Sequence, residues 1–205
     1  MKMPLPVARR LPLYLRILRE QGQAGEQWLS SDAIAGRLGL SAVQVRKDLG
    51  VAGAQGSPKR GFPVDETRKI LESFLGADDL AEVFLVGSGE LASAVLADDG
   101  VARRGFRIVA LFDPDSTLEG REVGGLPVLP LSKLPNLTRR MGVRIAILAV
   151  SGPGLREAAA ALADSGLSGI LDLSGASIGF PGSIEVLRED YGRDLSALAG
   201  ALVRP

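Results

Sequence analysis

The 205-residue chain has neither cysteine nor histidine. That excludes disulfides, thiolate nucleophiles, Cys/His zinc sites and histidine acid–base chemistry. No catalytic residue and no metal ligand set is therefore expected, and any response to redox state must pass through a bound ligand. No apolar run approaches the roughly 20 residues needed to span a bilayer. The N-terminal MKMPLPVARRLPLYL breaks its short apolar pieces with Pro and Arg, unlike a signal peptide. The expectation is a cytoplasmic protein with no membrane partner. Low-complexity tracts are missing too, as is any internal repeat beyond a β-α alternation.

What is present is divided along the chain. The formal net charge is zero, yet residues 1–62 carry ten Lys/Arg against four Asp/Glu, and residues 63–205 carry fourteen against twenty. A basic front suggests nucleic-acid contact, because neutralising phosphates releases counterions; a solvated basic surface is the alternative. With 46% hydrophobic residues, the chain can bury two cores.

The front reads as three short helices. From Arg9 to Arg19, Leu11, Tyr14, Leu15 and Leu18 recur at spacings of three and four, an apolar stripe on a basic helix. Ser30-Ser31-Asp32 offers an N-cap to AIAGRL, Gly39 ends that helix, and Ser41 caps AVQVRKDL. This is the helix-turn-helix plan, in which the last helix enters the major groove. Val43, Val45 and Leu49 are expected to pack inward, leaving Gln44, Arg46 and Lys47 outward, where Gln suits adenine, Arg guanine, and Lys phosphate or guanine. An ordinary charged helix is the competing reading. QGSPKRGFPV, residues 55–64, adds Gly, Pro and the adjacent Lys59-Arg60, a tight basic hairpin of the kind a winged helix needs.

Residues 65–80 read as a linking helix with Asp65 as N-cap and Gly76 as stop. Beyond it come strand EVFLVG, helix ELASAVLAD, strand RIVALFD, a Gly/Pro-rich excursion REVGGLPVLPLSKL, strand RIAILAV, helix GLREAAAALADSG and strand SGILDLS. This alternation predicts an α/β domain with a mainly parallel sheet covered by helices on both faces. In VGSGELASAV, Gly87 permits the tight turn, Gly89 lets a pyrophosphate approach the backbone, and Ala92 is small enough for helix-to-strand packing. The helix N-terminus behind them offers N–H groups and positive dipole. Asp113 ends the next strand, 24 residues after Gly89, where a carboxylate can accept a ribose 2′,3′-diol and would repel a 2′-phosphate, favouring NAD(H) over NADP(H). A glycine turn that binds nothing, or another nucleotide such as coenzyme A, stays open. The final EVLREDYGRDLSALAGALVRP predicts a short strand and a helix with Leu195, Leu198, Ala199 and Leu202 on one face, to be buried on its own domain or, as single helix-turn-helix chains commonly dimerise, on a partner subunit.

Together RLPLYLRIL, VRKDL, GSPKRGFPV, VGSGELASAV, ALFDPD, VGGLPVLPL and DLSALAGAL resemble, in order and over nearly the whole chain, the Rex redox-sensing transcriptional repressors. The resemblance implies a homodimer in which each chain has a winged-helix domain (1–64), a linker helix (65–80), a Rossmann domain (81–188) and a C-terminal helix (189–205) exchanged between subunits. It implies operator binding when NADH is scarce and release when NADH rises, through rotation of the subunits. By position, Ser41, Gln44, Arg46, Lys47, Lys59 and Arg60 would contact double-stranded DNA. Gly87, Ser88, Gly89, Glu90, Leu91, Asp113 and Pro114 would line the NAD(H) site. Arg16, Asp98 and Asp190 fall at domain-coupling positions. The chain departs from the family at Ala92 (usually Gly), at Asp98 (often Tyr), at VSG 150–152 (near VPA) and at DLSG 172–175 (near NFAP). Asp98 would remove a contact that links ligand state to domain arrangement. Two other readings stand beside an NADH-sensing repressor: a DNA-binding dimer whose Rossmann domain ignores NADH or takes another adenine nucleotide, and an NAD-dependent oxidoreductase. The latter lacks a proton donor, since neither Tyr14 nor Tyr191 has a catalytic setting.

Overall fold

The computed structural model describes residues 3–75 and 81–202, which fall into two compact units, Met1–Leu80 and Ala81–Pro205.

The first unit opens with α1 (Leu5–Gln23), longer at both ends than the Arg9–Arg19 stripe required, with Pro12 on its exposed side. It buries Leu11, Tyr14, Leu15, Ile17 and Leu18. β1 (Trp28–Leu29) leads into α2 (Ser31–Leu38), whose N-cap Ser30 accepts the Ala33 N–H through Oγ at 3.1 Å. Gly39 ends α2 at φ +66°, a left-handed conformation that glycine adopts without strain. α3 (Ala42–Val51) begins the same way, with Ser41 Oγ accepting the Gln44 N–H at 3.2 Å.

Val45 and Leu49 are fully buried on α3, as expected, but Val43 is 53% exposed. Two residues subtend about 200° on a helix, so Val43 and Val45 cannot share a face; the inward partner is Asp48, buried to 3%. β2 (Phe62–Pro63) pairs antiparallel with β1, and α4 (Val64–Phe74) follows. The expected cap at Asp65 is corrected to Pro63, and Asp65 lies in the first helical turn, facing the positive end of the dipole. Residues 76–80, with the expected stop Gly76, lie outside the described residues. α4 belongs to the core of this unit: Val64 and Leu71 join the α1 cluster, and Glu72 accepts hydrogen bonds from Arg19 at 2.9 and 3.0 Å and from Arg68 at 2.7 Å.

The second unit runs β3 (Ala81–Val86), α5 (Glu90–Ala97), α6 (Asp99–Arg103), β4 (Phe106–Asp113), β5 (Glu122–Val123), β6 (Leu126–Pro130), α7 (Leu134–Met141), β7 (Ile145–Leu148), α8 (Leu155–Ala163), β8 (Gly169–Asp172), β9 (Glu185–Arg188) and α9 (Tyr191–Leu202). The seven strands lie in the order β5-β6-β4-β3-β7-β8-β9, parallel except for β5. Period-two alternation makes two cores. Phe84, Val86, Phe112, Ala146 and Leu148 face α7 and α8 residues on one side, while Val83, Leu85, Leu111 and Ile147 join Ala92 of α5 on the other. In chain order the fold is thus a mainly α unit followed by an α/β unit with a Rossmann-like sheet, as the sequence predicts. The Gly/Pro-rich excursion is more ordered than expected: Gly124 and Gly125, both at positive φ, turn β5 into β6, and β6 joins the sheet beside β4. α6 and α7 also go beyond the sequence reading.

Candidate functional site

Central strand β3 is followed by β4 on one side and β7 on the other. Its carboxyl end is therefore a topological switch point, where open α/β sheets bind ligands. The Gly87 N–H donates to Phe112 O at 2.7 Å and the Ala149 N–H to Val86 O at 2.7 Å, so the glycine turn is tied to both neighbours. Gly87 has φ +113°, and a Cβ there would stand 2.5 Å from Ala149 O; no other residue fits. At Gly89, the N-cap of α5 with φ −80°, a Cβ would meet nothing within 4 Å, leaving open space directly before a helix N-terminus. Ala92 is fully buried against the sheet.

The turn opens on a cleft of about 810 Å³ that brings together all seven expected ligand residues, Gly87, Ser88, Gly89, Glu90, Leu91, Asp113 and Pro114. Asp113 is already engaged: Oδ2 accepts the Ser88 N–H and the Ser88 Oγ–H, each at 2.7 Å, and Oδ1 accepts the Asp115 N–H at 2.8 Å. The cleft also takes in Val150 and Ser151 of the divergent VSG segment, together with residues not singled out in the sequence, among them Arg121, Gly154 and Glu157. Gly154 packs so closely on Pro114 that a Cβ would lie 2.7 Å from its Cγ. The Pro153-Gly154 pair directly after VSG is the signal that could have extended that segment to this wall. Asp115, exposed, accepts hydrogen bonds from Thr117 Oγ1 and N–H, which hold its carboxyl below the ordinary range.

In the first unit, α3 carries Ser41, Gln44, Arg46 and Lys47. Arg46 and Lys47 are exposed, Gln44 is half-buried, and Ser41 is engaged as the cap. Arg46 and Lys59 line a second cleft, about 520 Å³, between α2, α3 and the hairpin, with Ser31 Oγ accepting from Arg46 Nη1 at 2.8 Å. The hairpin is tight. The Ser57 N–H donates to Gly61 O at 2.7 Å and the Gly61 N–H to Ser57 O at 3.0 Å. Lys59 at its tip has φ +65°, the only non-glycine residue of positive φ among those described. Arg60 does not share the cleft; its guanidinium lies 4.2 Å over the Trp28 ring.

Beneath α3, Asp48 accepts Arg10 Nε at 2.7 Å, Arg10 Nη2 at 3.0 Å and the Tyr14 hydroxyl at 2.7 Å. Burial alone would raise Asp48, but the hydrogen bonds from Arg10 and Tyr14 outweigh it and hold the carboxyl below its ordinary value. Tyr14 is pushed up to about 12, by burial first and then by its bond to the Asp48 carboxylate. Tyr14 is thus a core hydroxyl. This cluster anchors α3 to α1, and nothing in sequence spacing points to it.

Of the coupling positions, Arg16 is exposed on α1, 4.0 Å from Glu20. Asp98 caps α6, Oδ1 accepting the Gly100 N–H at 2.7 Å. Asp190 caps α9, Oδ1 accepting the Arg193 N–H at 2.9 Å. In the divergent DLSG segment Asp172 is 1% exposed; Oδ1 accepts the Ser174 N–H and Oγ–H, and Oδ2 lies 3.4 Å from Arg188 Nε. Among the described residues there is no His/Cys/Asp/Glu group suited to a metal ion, and no helix long and apolar enough to cross a membrane.

Comparison with known proteins matches the two halves separately and the chain as a whole. Residues 2–50 match a family described as putative DNA-binding protein N-terminus, and residues 78–174 a CoA binding domain family. The redox-sensing transcriptional repressor Rex of Treponema denticola is 34% identical over 185 residues, 90% of this chain and 88% of that protein. Two crystal structures of RSP, a Rex-family repressor, share the fold. One, with β-NAD+ and operator DNA, has a TM-score of 0.84 at 24% identity over 98% of this chain and 93% of that one. The other, with β-NADH, has a TM-score of 0.78 at 23% identity over 98% and 95%. Near-complete coverage by a relative of this identity, with both units in the same order, makes the chain a member of the Rex family of redox-sensing transcriptional repressors.

Proposed function

We propose that this chain is a homodimeric, cytoplasmic repressor that binds operator DNA and releases it when NADH occupies the second unit. It performs no catalysis. The observation that carries the reading is the junction, in one chain of this family, of a basic helix-and-hairpin unit with a switch-point cleft containing Gly87, Gly89 and Asp113. On the DNA side, Gln44, Arg46 and Lys47 of α3 face base edges and phosphates, Ser41 contributes at the helix start, and Lys59 and Arg60 approach the backbone from the wing.

The cleft fits NAD(H): the open space at Gly89 and the α5 N-terminus suit a pyrophosphate, Asp113 suits the adenosine ribose, and Ser88, Glu90, Leu91 and Pro114 enclose them. Bound NAD(H) supplies a nicotinamide whose charge reports redox state. The exposed Tyr191, Leu195, Leu198 and Leu202 of α9 supply the dimer core by exchange between subunits; no residue of this helix is buried within its own unit. Arg16 and Asp190 couple the DNA-binding and ligand-binding units, and Asp98 enters only through the turn that it caps. NADH shifts the operator equilibrium only by its differential affinity for the two arrangements of the dimer.

A second reading, a dimer indifferent to NADH, is favoured by one observation: Asp98 and Asp172 are both committed to local structure, as a helix cap and as a buried partner of Arg188. Titrating NADH, then NAD+, into the protein bound to a fluorescent palindromic site selected from random sequence separates the two. Release at micromolar NADH with little effect of NAD+ is expected; tight DNA binding unmoved by either sinks the sensor.

A further inference from the structure

We infer that Ser88 is a displaceable hydroxyl that makes this cleft favour ligands carrying both a vicinal diol and a phosphate. The inference rests on the nucleotide-site reading above. A carboxylate offers about four lone-pair positions. In Asp113 three are taken, by the Ser88 N–H and Oγ–H on Oδ2 and the Asp115 N–H on Oδ1. A ribose 2′,3′-diol donates two hydrogen bonds, so one present donor must leave. The Ser88 N–H is held by the turn, which Gly87 ties to β4 and β7, and the Asp115 N–H is held by the backbone two residues beyond Asp113 at the end of β4. The Ser88 hydroxyl alone can leave by rotation about its own side-chain bond.

Once displaced, that hydroxyl does not lose its use. Ser88 stands between Gly87 and Gly89, where the chain enters α5 and a Cβ at Gly89 would meet nothing within 4 Å. A phosphate seated in that space is within the turn that carries Ser88, and its oxygens can accept a hydrogen bond from the freed hydroxyl. A nucleoside displaces the hydroxyl without a replacement acceptor, whereas a nucleoside diphosphate returns one. Ser88 is therefore a positioning residue that couples the two halves of ligand recognition.

The test is calorimetry of adenosine, 2′-deoxyadenosine and ADP with the full-length protein, its Ser88→Ala variant and its Ser88→Thr variant. Losing one competing hydrogen bond should tighten adenosine about three- to tenfold in Ser88→Ala. ADP should tighten less than twofold or weaken, 2′-deoxyadenosine should change little, and Ser88→Thr should restore the wild-type pattern. Equal shifts for adenosine and ADP, or no shift for either, overturn the Ser88 inference while leaving the nucleotide site intact. Failure of all three ligands to bind the wild type overturns the nucleotide site and the inference together.

Discussion

Replacing Asp48 by Asn tests the link between the buried cluster and α3, the helix we propose to read DNA. The carboxylate accepts three hydrogen bonds, two from Arg10 and one from Tyr14, with its side chain 4% exposed. Breaking a buried ion pair costs about 3–5 kcal/mol when the remaining charge stays buried. The Arg10 side chain is 19% exposed and regains some water, and Asn still accepts from Tyr14, so the lower end, about 3 kcal/mol, is expected. In a unit of this size about 1 kcal/mol moves the midpoint by roughly 4–8 °C, so the first unit should melt about 12–24 °C lower. The chain has a single tryptophan, Trp28, so its fluorescence follows this unit alone. Operator affinity should fall with it, because Asp48 directly follows Arg46 and Lys47 on α3. The pH dependence has a defined sign. Asp48 titrates below its ordinary 3.8 in the folded unit, so its contribution is complete above that value and disappears as pH falls toward the folded value. The gap between wild type and Asp48→Asn should therefore be constant near neutrality and close below about pH 4. A variant within about 0.5 kcal/mol of wild type, or a gap that widens in acid, refutes the reasoning.

Gly87→Ala and Gly89→Ala should differ in kind. The first forces a side chain at φ +113° against Ala149 O and should destabilise the second unit by about 2–3 kcal/mol, read by calorimetric melting; the second should leave melting unchanged and weaken ADP binding. Lys59→Gly removes the positive-φ strain and should stabilise the first unit by up to about 1 kcal/mol, while the slope of log affinity for DNA against log salt falls by about 0.9. Trp28→Ala should release Arg60 from its ring, costing about 0.5–1 kcal/mol of stability and weakening operator binding. Leu198→Asp on the exposed face of α9 should yield monomers by light scattering; an unchanged dimer would place the subunit contact elsewhere.

How much was legible in advance varied with the range of the interaction. Ser30, Gly39 and Ser41 act within a turn of their own helix, and each does what its residue type implies. The Gly87-to-Asp113 spacing likewise reads a local turn plus one strand. Val43 misled because an apolar residue two positions before the buried Val45 looks buried, while the helical angle turns it outward. Asp65 offered a plausible cap, but β2, paired with β1, runs to Pro63, so the helix is capped two residues earlier. Trp28 with Arg60, Asp48 with Arg10 and Tyr14, and Ser88 with Asp113 join residues 32, 38, 34 and 25 positions apart. Such pairs leave no periodic trace.

By itself the sequence determined the two-part organisation, the helix-turn-helix order, the parallel sheet and the class of ligand chemistry. Those rest on backbone propensity, hydrophobic period and the absence of Cys and His. Only the tertiary structure decided which polar groups are spent before any partner arrives. It commits Asp113 to Ser88, Arg60 to Trp28, Asp98 to the start of α6 and Asp172 to Arg188. The physical reason is that a hydrogen bond or ion pair depends on distances of a few ångströms between segments far apart in the chain, and those distances exist only once the strands and helices have packed.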